Sequence, residues 1–388
     1  MFDSEIPFVT KYFQTRLKVY DQFDFSKCTT DELHDMASEA SSLRKILFDY
    51  NEEGYTELSD SLNSEFDISN RLGNFLDEAL PLLGGKSERE LFCLYAEPVS
   101  LNILKQSHFK GGPEFELIEY LSHLDSLADQ PPDISKCFEN KNQMKLWLAK
   151  TNFVLSEMSE YLLWIIKRLQ QRHDAVPVLM LRDTLLIYFG IMWARRQGVS
   201  INKPEPLLMS RKFVGAVTGS EDMYLHISGY IFHTLLHNNV LSDLTMFRDG
   251  FIKKTLSDKS IDSRFVKASR DYLSSLTLSA APLIIESGIH GVFPLWLLAL
   301  NNNKGDFLLY STAPWLYPIY KDILFRQNYN GLRDIETIVI HEHLFQIKDY
   351  CNGKVIVEEA RNPVVMNLAL YELCLFKKLA MQKLRTLD

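Results

Sequence analysis

Three stretches of the chain place polar groups where an apolar run gives way: Arg182-Asp183-Thr184, Ser210-Arg211-Lys212, and Glu286-Ser287-Gly288-Ile289-His290-Gly291. Arg182, Arg211 and Lys212 are suited to neutralise phosphate, the arginines in a bidentate manner. Asp183 and Glu286 are suited to hold sugar hydroxyls or a cation. Gly288 and Gly291 let backbone N–H groups close on an anion, with Thr184, Ser210 and Ser287 adding hydroxyls. His290, inside the glycine loop, has the side chain that donates to phosphate or works as acid or base near neutral pH. On this pattern Asp183, Glu286 and His290 are the catalytic candidates and the other named residues bind substrate. Trp296, Trp315, Tyr317 and Tyr320 lie close in sequence to the third stretch and are suited to stack on a base or sugar.

Other spacings are less specific. His341-Glu342-His343 puts two imidazoles on one face if the segment is a strand, but no third ligand at a diagnostic spacing accompanies them. His233 and His237 stand one helical turn apart, with Thr234 where a zinc-protease motif has glutamate. No metal site is assigned on either. There is no GxSxG elbow, which disfavours hydrolysis through a serine of that type. The five cysteines are scattered, with no CxxC pair, and suit free thiols in a reducing compartment.

The elements that must position the three stretches follow from pattern. Val176–Leu181, Pro206–Met209, Pro282–Glu286 and Asp306–Tyr310 are short apolar runs, each followed by turn residues and a helical segment, the one after the third starting near Val292. Strands alternating with helices predict βαβ units and a mostly parallel, Rossmann-like sheet flanked by helices. In such a sheet all three polar stretches fall on the carboxyl rim, where ligands bind and where helix N-termini favour anions. Residues 1–172 read as an all-α domain: boxes at 29–32 and 87–90 cap helices, and a long amphipathic helix runs from about Asn142 to Gln171. Residues 173–388 form the α/β domain. It holds largely helical residues 220–278, a C-terminal β-hairpin from the alternating Ile338–Ile347 and Lys354–Glu358, and a closing helix from Pro363.

With 388 residues, 46% of them hydrophobic, the chain is rich enough in apolar side chains for a sizeable core. Its net charge of −8 argues against binding held mainly by nucleic-acid phosphates. Acids occupy the first residues, MFDSEIPFVTKYF, where a secretory signal has bases, and no run spans a bilayer, so a cytoplasmic protein without a membrane partner is expected.

The order of the three stretches resembles that of phosphoribosyltransferases over about Val176 to Tyr310. That family has an arginine-bearing pyrophosphate loop, matched by Arg182-Asp183, then a basic strand end, matched by Arg211-Lys212. Its acidic strand end opening a phosphate loop is matched by Glu286 to Gly291. Glu286-Ser287 stands where the family has two adjacent acids. The resemblance implies a transferase acting on a phosphorylated sugar or nucleotide, and such a substrate would bring Mg²⁺. It says nothing about the first 170 residues, whose helical domain is suited to dock a protein partner. A second resemblance is to haloacid-dehalogenase-like phosphohydrolases, with Ser210 as the later hydroxyl and Glu286 as the late acid. Leu181 replaces the aspartate nucleophile of that family, so this likeness implies a non-catalytic binding or interaction module.

Overall fold

The computed structural model describes residues 17–30, 63–84 and 111–386, together with residues 33, 36, 37, 40 and 44. Breaks fall at 65, 139, 182, 221, 238–242, 276–280, 288–290, 313–315, 327–334, 336–337, 343 and 352–353. In chain order the elements are α1 (Ile68–Leu82), β1 (Glu114–Glu116), α2 (Leu117–Leu127), α3 (Lys141–Gln170), β2 (Val176–Met180), α4 (Leu185–Arg196), β3 (Glu205–Leu207) and α5 (Arg211–Thr218). They continue with α6 (Asp222–His237), α7 (Leu244–Ser257), α8 (Ser263–Ser275), β4 (Pro282–Glu286), α9 (Val292–Leu300) and β5 (Asp306–Leu309). Last come α10 (Tyr317–Tyr320), α11 (Val339–Glu342), β6 (Phe345–Cys351), β7 (Lys354–Glu359) and α12 (Pro363–Leu384). Among the described residues no helix is long and apolar enough to cross a membrane.

The fold is α/β. Four strands form a parallel sheet in the order β3-β2-β4-β5. The chain leaves β2 for β3 on one side, crosses back to β4 on the other, and continues outward to β5, so β2 and β4 are the neighbours between which the winding reverses. Their prolines fit the ladder. Pro177 precedes the first β2–β3 pair, Val178 with Glu205, and Pro206 lies in the three-residue edge strand. In both places a missing N–H disturbs little pairing. Val178–Met180 and Pro282–Ile285 are buried, as strands covered on both faces must be. The helices beside them are apolar nearly all round: Val292–Ala299 are all buried, as are Leu185–Ile191.

Helix α3 is the principal layer contributed by the first half of the chain. Asn140 caps it, accepting from the N–H groups of Asn142 and Gln143, both at 3.0 Å. Its face of Val154, Leu155, Met158, Tyr161, Leu162, Ile165, Ile166 and Leu169 is buried. Against α4 it comes unusually near: a Cβ on Gly190 would lie 2.4 Å from Leu162 Cδ2. At its end Arg172 pairs with Asp306 of β5 at 2.5 Å.

Two readings are corrected. The first 172 residues are not helical throughout, since β1 pairs antiparallel with β7. The C-terminal hairpin, β6 with β7, is joined by β1 in an antiparallel sheet of its own, β1-β7-β6. Nor is Ile338–Ile347 one strand. Residues 339–342 are a turn of helix, and the strand begins at Phe345. Val339, Ile340 and His341 are buried in succession, which alternation along a half-buried strand does not allow. Leu33 N bonds Thr29 O, the first turn expected of the box at 29–32, whose residues 31 and 32 lie outside the described residues, as does the box at 87–90.

Candidate functional site

At the carboxyl ends of β2 and β4 two acids, Asp183 and Glu286, come near each other. The Ser287 hydroxyl donates to Asp183 Oδ2 at 2.9 Å. Ser287 is buried and Asp183 half-buried, so this bond lies beneath the surface of the rim. Glu286, the last residue of β4, directs its carboxyl into the same region. Its Oε2 is shielded from solvent and has no hydrogen-bond partner among the described residues. Burial, reinforced by the nearby charge of Asp183, pushes the Glu286 carboxyl up to about 8. Asp183 accepts from Ser287, and Glu286 is the acid that burial biases toward its protonated form.

Other elements fix the backbone here. The Tyr161 hydroxyl, from α3, donates to the Glu286 main-chain oxygen at 3.1 Å, and Tyr310 N donates to the same oxygen at 3.0 Å. The strand end is thereby held from β5 and from the helix above it. Tyr161 and Tyr320 are buried, and their phenols are pushed well above the usual range by burial and by the Glu286 carboxyl. Gly291 closes the loop at φ 68, ψ 28, a left-handed conformation that strains any L side chain, and α9 starts at the next residue. A Cβ there would stand 3.4 Å from Phe307 Cε2 and from the Tyr320 hydroxyl. Helices α4, α5 and α9 each begin on this rim, so three positive helix ends converge on it.

The stretch Ser210-Arg211-Lys212 reaches the rim through aromatic packing. The Arg211 guanidinium lies 4.7 Å from the centroid of Tyr224, and that ring is 5.3 Å from Phe293, two residues past Gly291. Arg211 and Lys212 are exposed and form no salt bridge among the described residues. Ser210 stands at the N-cap of α5 without a side-chain cap bond. Thr184 is used differently: its buried hydroxyl donates to Met180 O at 2.7 Å and closes the strand-to-helix turn. Arg182, Gly288 and His290 lie outside the described residues.

Of the aromatic candidates, Trp296 and Tyr320 belong to the core. Trp296 stacks on Phe265 at 4.8 Å and donates to the Ser269 hydroxyl at 3.1 Å, and Tyr320 is fully buried between Phe247 and Phe307. Tyr317 is half-buried, and Trp315 lies outside the described residues. His341 does not sit on a strand face. It is buried in α11 with Nδ1 3.0 Å from Ile335 O, while His343 and the side chains of His233 and His237 lie outside the described residues. Among the described residues no group of three or more His, Cys, Asp or Glu stands ready to hold a metal ion. Tyr161 was not legible as a site residue, because in the sequence it is one more large side chain on an amphipathic helix; Tyr310 reads as the last residue of a strand.

No family model, curated protein or solved structure matches this chain. What the fold defines is a parallel α/β sheet with an acidic pair at its winding reversal.

Proposed function

We propose that this protein binds a phosphorylated sugar or nucleotide at the carboxyl edge of its parallel sheet and transfers a group from it, in the manner of phosphoribosyltransferases. The reading rests on one observation: Asp183 and Glu286 come together where β2 and β4 diverge, with Glu286 Oε2 enclosed and without a partner among the described residues. An enclosed polar atom left unsatisfied destabilises the free protein, and a ligand hydroxyl that bonds it removes that cost. Crevices at such reversals are where open α/β sheets take their ligands. Glu286 then meets the sugar hydroxyls and can give up its proton to an oxygen that leaves. Asp183, held by Ser287, supplies fixed negative charge for a developing cation. Arg211 and Lys212, exposed and without a salt bridge among the described residues, receive phosphate together with the backbone around Gly291. A carboxylate beside bound phosphate is a donor that suits Mg²⁺, which would be held by Asp183 and the substrate's phosphates and would neutralise phosphate charge.

A rival reading, a non-catalytic interaction module of the same shape, draws on Thr184 and Ser287, whose hydroxyls are already occupied within the fold. Thermal-shift titration with ribose 5-phosphate and with nucleoside mono-, di- and triphosphates, each with Mg²⁺, separates the two. The proposal expects at least one to raise the melting temperature of the native chain and none to raise that of Glu286→Gln. Stabilisation of neither protein, or of both equally, overturns it.

A further inference from the structure

A cavity of ≈ 420 Å³ opens between the loop Ala128–Pro131 and one face of α12, and no residue of the acidic rim lines it. That is within the usual size of small-molecule sites, about 300–1,000 Å³. On α12 its wall is Tyr371, Cys374, Leu375, Lys378 and Met381, spaced so that all face one way. From Tyr371 to Met381 the stripe runs about 15 Å along the helix, at the usual rise per residue. The result is an open, elongated trough, more apolar than polar, bounded on the other side by Ala128, Asp129 and Pro131.

Two ammonium groups border it, and they differ. Lys377 is held in place, with Nζ 2.6 Å from Asp129 Oδ2 and 5.4 Å from the Trp193 ring centroid. Lys378 is exposed and forms no salt bridge among the described residues. An unpaired cation above an apolar trough, in a chain of net charge −8, is complementary to a molecule with one negative end and an extended hydrocarbon body. A phosphate would find too few donors here, and the small area does not suit a protein partner. We infer that this cavity binds a medium-chain carboxylate, with the alkyl chain along Tyr371, Leu375 and Met381 and the carboxylate on Lys378.

Cys374 gives the test a local reporter. Its thiol lies in the wall, half-buried, with Sγ 3.6 Å from Leu127 O. The experiment titrates the full chain with decanoate and with decanol by calorimetry, and follows iodoacetamide alkylation of Cys374 by peptide mass at alkaline pH. The inference expects decanoate to bind at least about tenfold more tightly than decanol, a difference in reach of one charge-assisted contact. It also expects Lys378→Glu to abolish that preference, Leu375→Glu to abolish binding of both, and saturating decanoate to slow alkylation of Cys374. Equal binding of decanoate and decanol, decanoate binding unchanged in Lys378→Glu, or alkylation of Cys374 indifferent to decanoate would each overturn it.

Discussion

Two carboxyl groups in this molecule are pushed up to about 8 by burial, and they are used in opposite ways. Glu372, in the middle of α12, accepts from Val339 N at 3.1 Å and from Ile340 N at 2.8 Å, capping α11, with Lys150 of α3 as a favourable charge nearby. Each of its oxygens has a partner, and the acid fastens α12 to α11. Glu286 has an enclosed oxygen with none among the described residues, and its neighbour is another acid. The same chemical group is therefore structural where its bonds are complete. Where one bond is missing and the place is a winding reversal, it points to a ligand. Burial alone does not distinguish the two; the count of bonds does.

The largest effect expected from this contrast is at Glu372. Replacing it with alanine leaves two backbone N–H groups without their acceptor and removes the negative partner of a favourable charge interaction with Lys150, and should lower stability by about 3 kcal/mol or more. Denaturant unfolding measures this, with Glu372→Gln losing less because it keeps the side-chain volume and part of the hydrogen bonding. A loss within experimental error for the alanine variant would remove the structural half of the comparison. Next is Gly291→Ala, expected to cost about 1–2 kcal/mol from its left-handed backbone and to weaken ligand binding at the rim along with it.

The smallest stability effect is at Glu286, where the change shows in pH dependence. A carboxyl raised in the folded state keeps its proton there while the unfolded chain has lost it. Stability is then full below the ordinary value of 4.5 and declines as pH rises to about 8, beyond which it levels. Glu372 contributes a decline of the same sign. Glu286→Gln should leave the melting temperature unchanged or higher near neutral pH and flatten the decline across that window. A variant with the native pH profile would show that Glu286 is ionised in the fold.

Much of the parallel sheet was legible in the sequence. Pro282–Glu286 and the start of α9 at Val292 fall where the apolar run and the glycines put them, and α3 begins and ends within a residue of the expected helix. At the rim, Asp183, Ser210 and Glu286 stand at strand ends because the strands are parallel, while Arg182, Gly288 and His290 lie outside the described residues. What was hidden depends on partners remote in sequence. β1 is three residues, Glu-Phe-Glu, too short to show a period, and it exists because β7 pairs with it at Glu114 with Glu358. α11 reads as a strand because Ile338, Ile340 and the histidines alternate. Glu372, which caps it, looks in sequence like any glutamate on a helix surface. Tyr161 was missed for the same reason: its bond to Glu286 O spans 125 positions.

The proposal turns on whether the Glu286 carboxyl, whose Oε2 has no partner among the described residues, is held protonated and meets a ligand hydroxyl. The most direct measurement is a difference infrared spectrum, native protein minus Glu286→Gln, taken near neutral pH before and after adding ribose 5-phosphate or a nucleotide with Mg²⁺. The account predicts the carbonyl stretch of a protonated carboxylic acid in the free native protein, and its shift or loss when one of these ligands binds. A spectrum without that band, or with a band that every sugar phosphate and nucleotide leaves in place, would contradict it.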